Sequence, residues 1–443
     1  MKSFIFIYLL LLTNTALCQK KWDLKTCIDF ALSHKIEILQ QTENTQLSEK
    51  QLQYSKLRIL PSFNIAASQN FKSYKTFNQS TNKWENINPS LTEIDVYTKI
   101  GIFNAFYNQY NIQMYKYLKI KSINNLEQIK NEIRLSVLSA YTNCLYYKEN
   151  YQISISQKQL LIEQKNNYVV LVQKGEKSEL DLLELEAKIL NENTKVTEAQ
   201  KELEESLIDL KKSMQLPDSS SFSVNDFSVP SEIQYSIPSG DSIYNIAINQ
   251  LPDIEFYNAE INASNCLIKS VRSNYYPNLY LTGTLSSTSN SLSTNLANPQ
   301  SHYGLSKQFK DNYISIIGLQ LNIPVYSKHE IKQKVIEEKY NLNNLQFEKQ
   351  KKLDEIYFDI QKLQNNIQAN IKNFEIIKDV VNSYTDIYDL TEKKYNHGVI
   401  TFLEYITAKK NLEESEIELI KTKYNLLYSL KLIDYYLGKP LTI

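Results

Sequence analysis

Glycine is scarce in this chain, with 8 in 443 residues, or roughly 2% against an average near 7%. All eight (Gly101, Gly175, Gly240, Gly283, Gly304, Gly318, Gly398 and Gly438) stand alone, so neither G-x-x-x-x-G-K nor G-x-G-x-x-G can form and a phosphate-cradling loop is excluded. The four cysteines and four histidines contain no C-x-x-C, H-x-x-x-H or H-E-x-x-H spacing, which leaves no metal or cofactor site to name and no catalytic residue. Cys144 falls on an apolar stripe with Ile133, Val137 and Ala140 and reads as a small buried hydrophobe. Basic and acidic side chains number 49 each, and the missing basic surplus argues against nucleic acid as a partner. Beyond the N-terminus no run approaches the roughly 18 apolar residues of a spanning helix.

The N-terminus is different. Met1 and Lys2 precede an apolar run from Phe4 to Leu12, and Ala16-Leu17-Cys18 follows, which is the pattern of a secretory signal over residues 1–18 with the mature chain starting at Gln19. Cys18 is the alternative, as a lipidation site, but Leu17 stands where a small residue is wanted.

A repeat is the dominant feature of the rest. Ala31 and Ala247, Ile38 and Ile254, and Pro61 and Pro277 are each 216 apart, while Gly175 and Gly398, and Met214 to Pro217 and Leu437 to Pro440, are 223 apart. The copies span 19–217 and 241–443, joined by a linker at 218–240 that holds Ser219-Ser220-Ser221, Pro230 and Pro238. Each copy reads as helix, strand, polar loop, strand, very long helix, turn and helix. Asp23 and Asp241 are the expected caps of the first helices, which Pro61 and Pro277 end. Phe63, Ile65 and Ala67, then Ile94, Val96, Ile100 and Ile102, alternate with polar residues in the first copy, as do Leu279, Leu281, Leu285, Ile317, Leu319 and Leu321 in the second. Residues 108–172 and 330–395 lack glycine and proline altogether, enough for roughly 100 Å of helix each. Gly175 and Gly398 stop these helices, and Ser178 and Thr401 cap the returning ones.

Strands of about ten residues, apolar on one side and polar on the other, fit a tilted crossing of an outer membrane. Four cannot close a barrel, and an open edge in lipid would strand backbone groups at several kcal/mol each. The fold class expected is therefore mainly α with a membrane β-barrel portion, completed by three chains as a twelve-stranded β-barrel above a twelve-helix α-barrel. Soluble hairpins on a periplasmic coiled-coil scaffold remain the alternative.

In its ordered motifs the sequence resembles the TolC-like outer-membrane efflux family. These are Trp22-Asp23-Leu24, Leu60-Pro61-Ser62, Gly175-Glu176-Lys177-Ser178 with Asp181-Leu182-Leu183-Glu184, and then Tyr276-Pro277-Asn278, Ile323-Pro324-Val325-Tyr326, Gly398 to Glu404, and Leu437-Gly438-Lys439-Pro440. The resemblance implies a homotrimer in the cell outer membrane of a Gram-negative bacterium, in contact with its lipid. Its helical tunnel would stand in the periplasm, docked by a periplasmic adaptor to an inner-membrane transporter. It implies a passive duct and not an enzyme. By position the adaptor-contact tips are Gly175, Ser178, Gly398 and Thr401, although plain turn chemistry accounts for the same four residues. The periplasmic gate implied by the family maps to Glu404 and Thr407 at two acidic ring positions, with Ile400 at a basic one, and to Tyr395 and Asp181 in a closing bond. Only Glu404 of the two ring positions is acidic here. Export of small molecules and secretion of a polypeptide through a type I system share this fold.

Overall fold

The computed structural model describes residues 21–79, 81–217, 222–225, 237–292, 294–295 and 298–441. The expected signal segment, Cys18 included, lies outside the described residues, as does most of the expected linker. The first half runs β1 (Lys21–Trp22), α1 (Leu24–His34), α2 (Ile36–Leu57), β2 (Ser62–Phe71), β3 (Tyr74–Asn78), β4 (Lys83–Ile87), β5 (Ser90–Phe103), α3 (Tyr107–Gln173) and α4 (Glu179–Met214). After β6 (Ser223–Val224) come α5 (Gly240–Gln250), α6 (Pro252–Ser273), β7 (Asn278–Asn290), β8 (Thr294–Asn295), β9 (Asn298–His302), α7 (Leu305–Asp311), β10 (Tyr313–Asn322), α8 (Glu330–Asn396) and α9 (Phe402–Tyr436). The order helix pair, strand, strand, 67-residue helix, returning helix thus occurs twice. No helix of the described residues is long and apolar enough to cross a membrane.

Two local expectations are corrected. The single helix expected before each proline is two, broken at Lys35 and at Leu251, both extended with ψ of 130° and 134°. Pro252 bars Leu251 from the helical region, whereas at Lys35 no proline acts and the freed Ile36 N–H donates to Gln215 Oε1 at 2.8 Å. Asp23 does cap α1, accepting from the Thr26 N–H at 2.8 Å. The cap of α5 is Ser239, not Asp241; Asp241 sits in the first turn, where a negative charge faces the positive end of the helix.

The chain forms two compact units. One gathers described residues of Met1–Glu43, Asn124–Glu255 and Gln350–Ile443. Its core is the seam of long helices: Ile133, Val137, Leu138, Tyr141 and Cys144 of α3 pack with Leu24, Cys27 and Ala31 of α1 and with Leu210 and Met214 of α4. A second cluster joins Ile243 and Ala247 of α5 to Ile360 and Ile367 of α8 and Leu430 of α9. Within the expected linker, Ser223 and Val224 pair in parallel with Lys21 and Trp22.

The other unit, Asn44–Ile123 and Phe256–Lys349, holds a four-stranded sheet in the order β10-β7-β5-β2, antiparallel throughout. Antiparallel partners share a face. Ile65 opposes Val96, which opposes Leu285, and Ile100 opposes Leu281, which opposes Leu319. One face is therefore a continuous apolar field. The other carries Asp95, Lys99, Thr282, Thr284 and Gln320, with Ile314 and Ile316 as its aliphatic exceptions. Every residue of β2 and all but one of β10 are exposed, so among the described residues both edges are open, while α7 lies against the Ser287–Ser289 end of the apolar face. The polar loops expected beyond the strands are partly regular: Tyr74–Asn78 and Lys83–Ile87 pair as a hairpin, and the helix α7 precedes β10.

Candidate functional site: the helical turns and the tyrosines behind them

Both long helices end in the same way. The Gly175 N–H bonds Val172 O and the Glu176 N–H bonds Leu171 O, each at 2.9 Å, while the Gly398 N–H bonds Tyr395 O and the Val399 N–H bonds Lys394 O, each at 3.0 Å. These are the paired bonds of a glycine-terminated helix. They need a left-handed residue, and Gly175 and Gly398 supply it at φ of 76° and 72°. Ser178 then accepts from the Leu180 N–H at 3.1 Å. Thr401 forms a capping box: its hydroxyl accepts from the Glu404 N–H at 3.3 Å, and the Glu404 carboxylate accepts from the Thr401 N–H at 2.8 Å.

Glu404 is thus exposed, tied to the helix start, and held as a carboxylate below its ordinary range by the Thr401 N–H first and the Thr401 hydroxyl second. Thr407, one turn on, is also exposed and returns its hydroxyl to Leu403 O at 2.7 Å. It carries no charge into the turn.

Behind the turns lies a buried cluster of Leu161, Tyr168, Leu185, Tyr395, Phe402 and Tyr405. Tyr395 and Asp181, expected as direct partners, are not bonded to each other. Tyr168 stands between them: its hydroxyl donates to Asp181 Oδ2 at 2.8 Å and is hydrogen-bonded to the Tyr395 hydroxyl. Since the single Tyr168 proton goes to the carboxylate, Tyr395 donates to Tyr168. Burial is the first cause that raises the pKa of both phenols, and that of Tyr395 is pushed up to about 12, so both stay neutral donors across the physiological range. Tyr405 stacks on Tyr395 with ring centroids 4.9 Å apart and shares a hydrogen bond with the Tyr388 hydroxyl at 3.1 Å. Lys177 lies 4.2 Å over the Tyr395 ring and donates to Tyr395 O at 3.1 Å, joining the first turn to the end of the second long helix. Tyr168, Lys177, Tyr395, Phe402 and Tyr405 border a polar cavity of about 190 Å³.

Tyr168, Tyr405 and Lys177 were not legible as partners in the sequence. The seven-residue spacing of Tyr388 and Tyr395 puts both on one helix face, and Tyr405 lies seven residues after Gly398. Neither spacing names a partner on another helix.

The duplicated chain thus carries a four-stranded antiparallel sheet and, in each copy, a long helix followed by a returning one. Residues 243–439 match the family model described as outer membrane efflux protein. That segment is the second of the two copies, and the first copy repeats its order of elements. No curated protein matches it. Among solved structures, CusC is 14% identical with a TM-score of 0.80 over 95% of this chain and 93% of its own. The outer membrane channel CmeC of Campylobacter jejuni is 19% identical, with a TM-score of 0.78 over 94% of this chain and 85% of its own. For the outer membrane protein VceC of Vibrio cholerae the values are 12% and 0.74, over 94% and 96%. At these identities the likeness is one of fold.

Proposed function

We propose that three copies of this chain form the channel-tunnel of a tripartite efflux system, a passive exit duct for small molecules delivered by an inner-membrane pump through a periplasmic adaptor. The observation that carries this reading is the sheet: a continuous apolar face and two open edges, β2 and β10. In lipid each edge must pair. Joining β10 of one chain to β2 of the next closes the edges with no other element, and three chains then give twelve strands. The mature protein extracted from membranes is expected to require detergent and to have the native mass of three chains. Release by salt as a monomer would overturn the channel.

In that assembly the turns at Gly175 to Ser178 and Gly398 to Thr401 form the adaptor-facing tips. Glu404, repeated three times, is the one acidic ring at the gate, with Thr407 neutral above it. Because the Thr401 contacts hold the Glu404 carboxyl below its ordinary 4.5, the ring keeps its charge down to more acidic pH than a free glutamate would. Glu404→Gln is expected to reduce cation selectivity in planar-bilayer recordings at neutral pH. Unchanged reversal potentials in a salt gradient would remove Glu404 from the pore.

A further inference from the structure

The short helix α7 lies on the apolar side of the sheet. Ser287 of β7 donates through its hydroxyl to Phe309 O at 2.6 Å, and the Ser289 hydroxyl donates to Gln308 Oε1 at 3.1 Å. Along a strand, alternate residues share a face, so Ser287 and Ser289 continue the row Leu279, Leu281, Gly283 and Leu285. That row is the apolar face. Gln308 is buried; its side-chain oxygen also accepts from the Asn290 N–H at 2.8 Å, and its amide nitrogen donates to Tyr303 O at 2.7 Å. Asn312 adds a bond from its side-chain amide to Thr288 O at 3.0 Å. The helix is bolted to the outside of the sheet and does not hang over its polar face.

Its height on that face is set by the strand. The ends of the strands joined to α2, α3, α6 and α8 are Ser62, Phe103, Asn278 and Asn322; the opposite ends are Phe71, Ser90, Asn290 and Tyr313. From Leu279 to Ser287 is eight residues, about 27 Å along the strand and about 21 Å of height at a usual tilt near 40°. The apolar band of an outer-membrane barrel is about 25 Å tall, so Ser287 reaches its far margin. Tyr313, cross-strand from Ser287 and 65% exposed, marks the same level as an interfacial aromatic.

At 100° per residue, Lys310 lies about 160° round α7 from the buried Gln308 and Lys307 about 100°, on its flank. Both are exposed, and Lys307 also stands 4.6 Å over the Tyr303 ring. We propose that α7 docks on the headgroup layer of the outer leaflet, with Lys307 and Lys310 holding the phosphates of an anionic glycolipid. The helix is polar where the band ends, basic where headgroups begin, and fixed by four side-chain bonds, all of which a lipid-facing position requires. The inference rests on the membrane barrel proposed above.

The test is native mass spectrometry of the detergent-extracted full chain titrated with hexa-acylated, bisphosphorylated lipid A and with its fully dephosphorylated form. Wild type is expected to retain the phosphorylated probe. A K307Q/K310Q variant of unchanged trimer mass is expected to bind it about thirtyfold more weakly, the loss of two surface charges facing an anionic leaflet. The dephosphorylated form should bind wild type and variant alike. Equal retention of the phosphorylated lipid by an intact trimeric variant overturns the docking site, as does its full displacement by millimolar inorganic phosphate. A chain that never yields a trimer in detergent overturns the barrel itself, and is told apart by its mass.

Discussion

Tyr168→Phe is expected to raise the resting conductance of the reconstituted channel roughly ten- to hundredfold, and to raise it more than Tyr395→Phe does. The Tyr168 hydroxyl is the middle of a three-group chain. It donates to Asp181 on the helix after the first turn and accepts from Tyr395 in the last turn of the second long helix. Removing it takes the phenol from Asp181 and leaves the Tyr395 hydroxyl, on a side chain only 6% exposed, with no acceptor there. Losing a hydrogen bond to a charged group shifts an equilibrium by about 1.5–3 kcal/mol. If the bond exists only in the closed arrangement, that energy moves directly into the closed–open balance. Tyr395→Phe removes one bond and keeps the Tyr168–Asp181 pair, so its effect is the smaller. Single-channel recordings of wild type and both variants at neutral pH provide the comparison. A Tyr168→Phe channel as silent as wild type, or one less conductive than Tyr395→Phe, would detach this chain from gating and leave it a packing feature.

The duplication explains why so much of the fold could be read from residues and why the site could not. Helix ends are written locally: Gly175 and Gly398, Ser178 and Thr401 terminate and cap the same two helices in both copies. The faces of the strands are equally local, because alternation such as Ile94, Val96 and Ile100 fixes which side chains go together. The tyrosine cluster is a long-range arrangement. Positions related by the 223-residue offset do different work: Asp181 accepts from Tyr168 while its counterpart Glu404 closes a capping box, Tyr395 corresponds to Val172, and Tyr405 to Leu182. Only packing of α3 against α8 and α9 brings Tyr168 to Tyr395 across 227 positions of sequence. The break at Lys35 escaped reading for a related reason: its counterpart Leu251 is followed by a proline, whereas here the Ile36 N–H is taken up by Gln215, 179 residues away. α7 was hidden because its seven residues carry too little periodicity to stand out from the polar segment around them.

A pair of arginine substitutions on adjacent residues of β10 distinguishes the two faces of the sheet. Leu319 lies mid-strand on the apolar face, opposite Leu281 and through it Ile100. Gln320 points the other way, opposite Tyr280. Leu319→Arg is expected to cost about 2–4 kcal/mol, the penalty of a cation near the bilayer midplane, and to abolish the heat-resistant oligomer on unboiled gels. Gln320→Arg should leave that oligomer intact and shift ion selectivity toward anions, since it adds three positive charges to the lumen of a trimer. The comparison is sharp because Leu319 is 68% exposed in the single chain. A soluble hairpin at this position predicts almost no cost for either substitution, as exposed positions tolerate charge. Reversed outcomes would put lipid on the Asp95 and Lys99 face, and two neutral outcomes would take the sheet out of the membrane. A large penalty at Leu319 alone requires an environment that the chain by itself does not supply, and lipid is the environment in which an exposed leucine is favoured and an arginine is not.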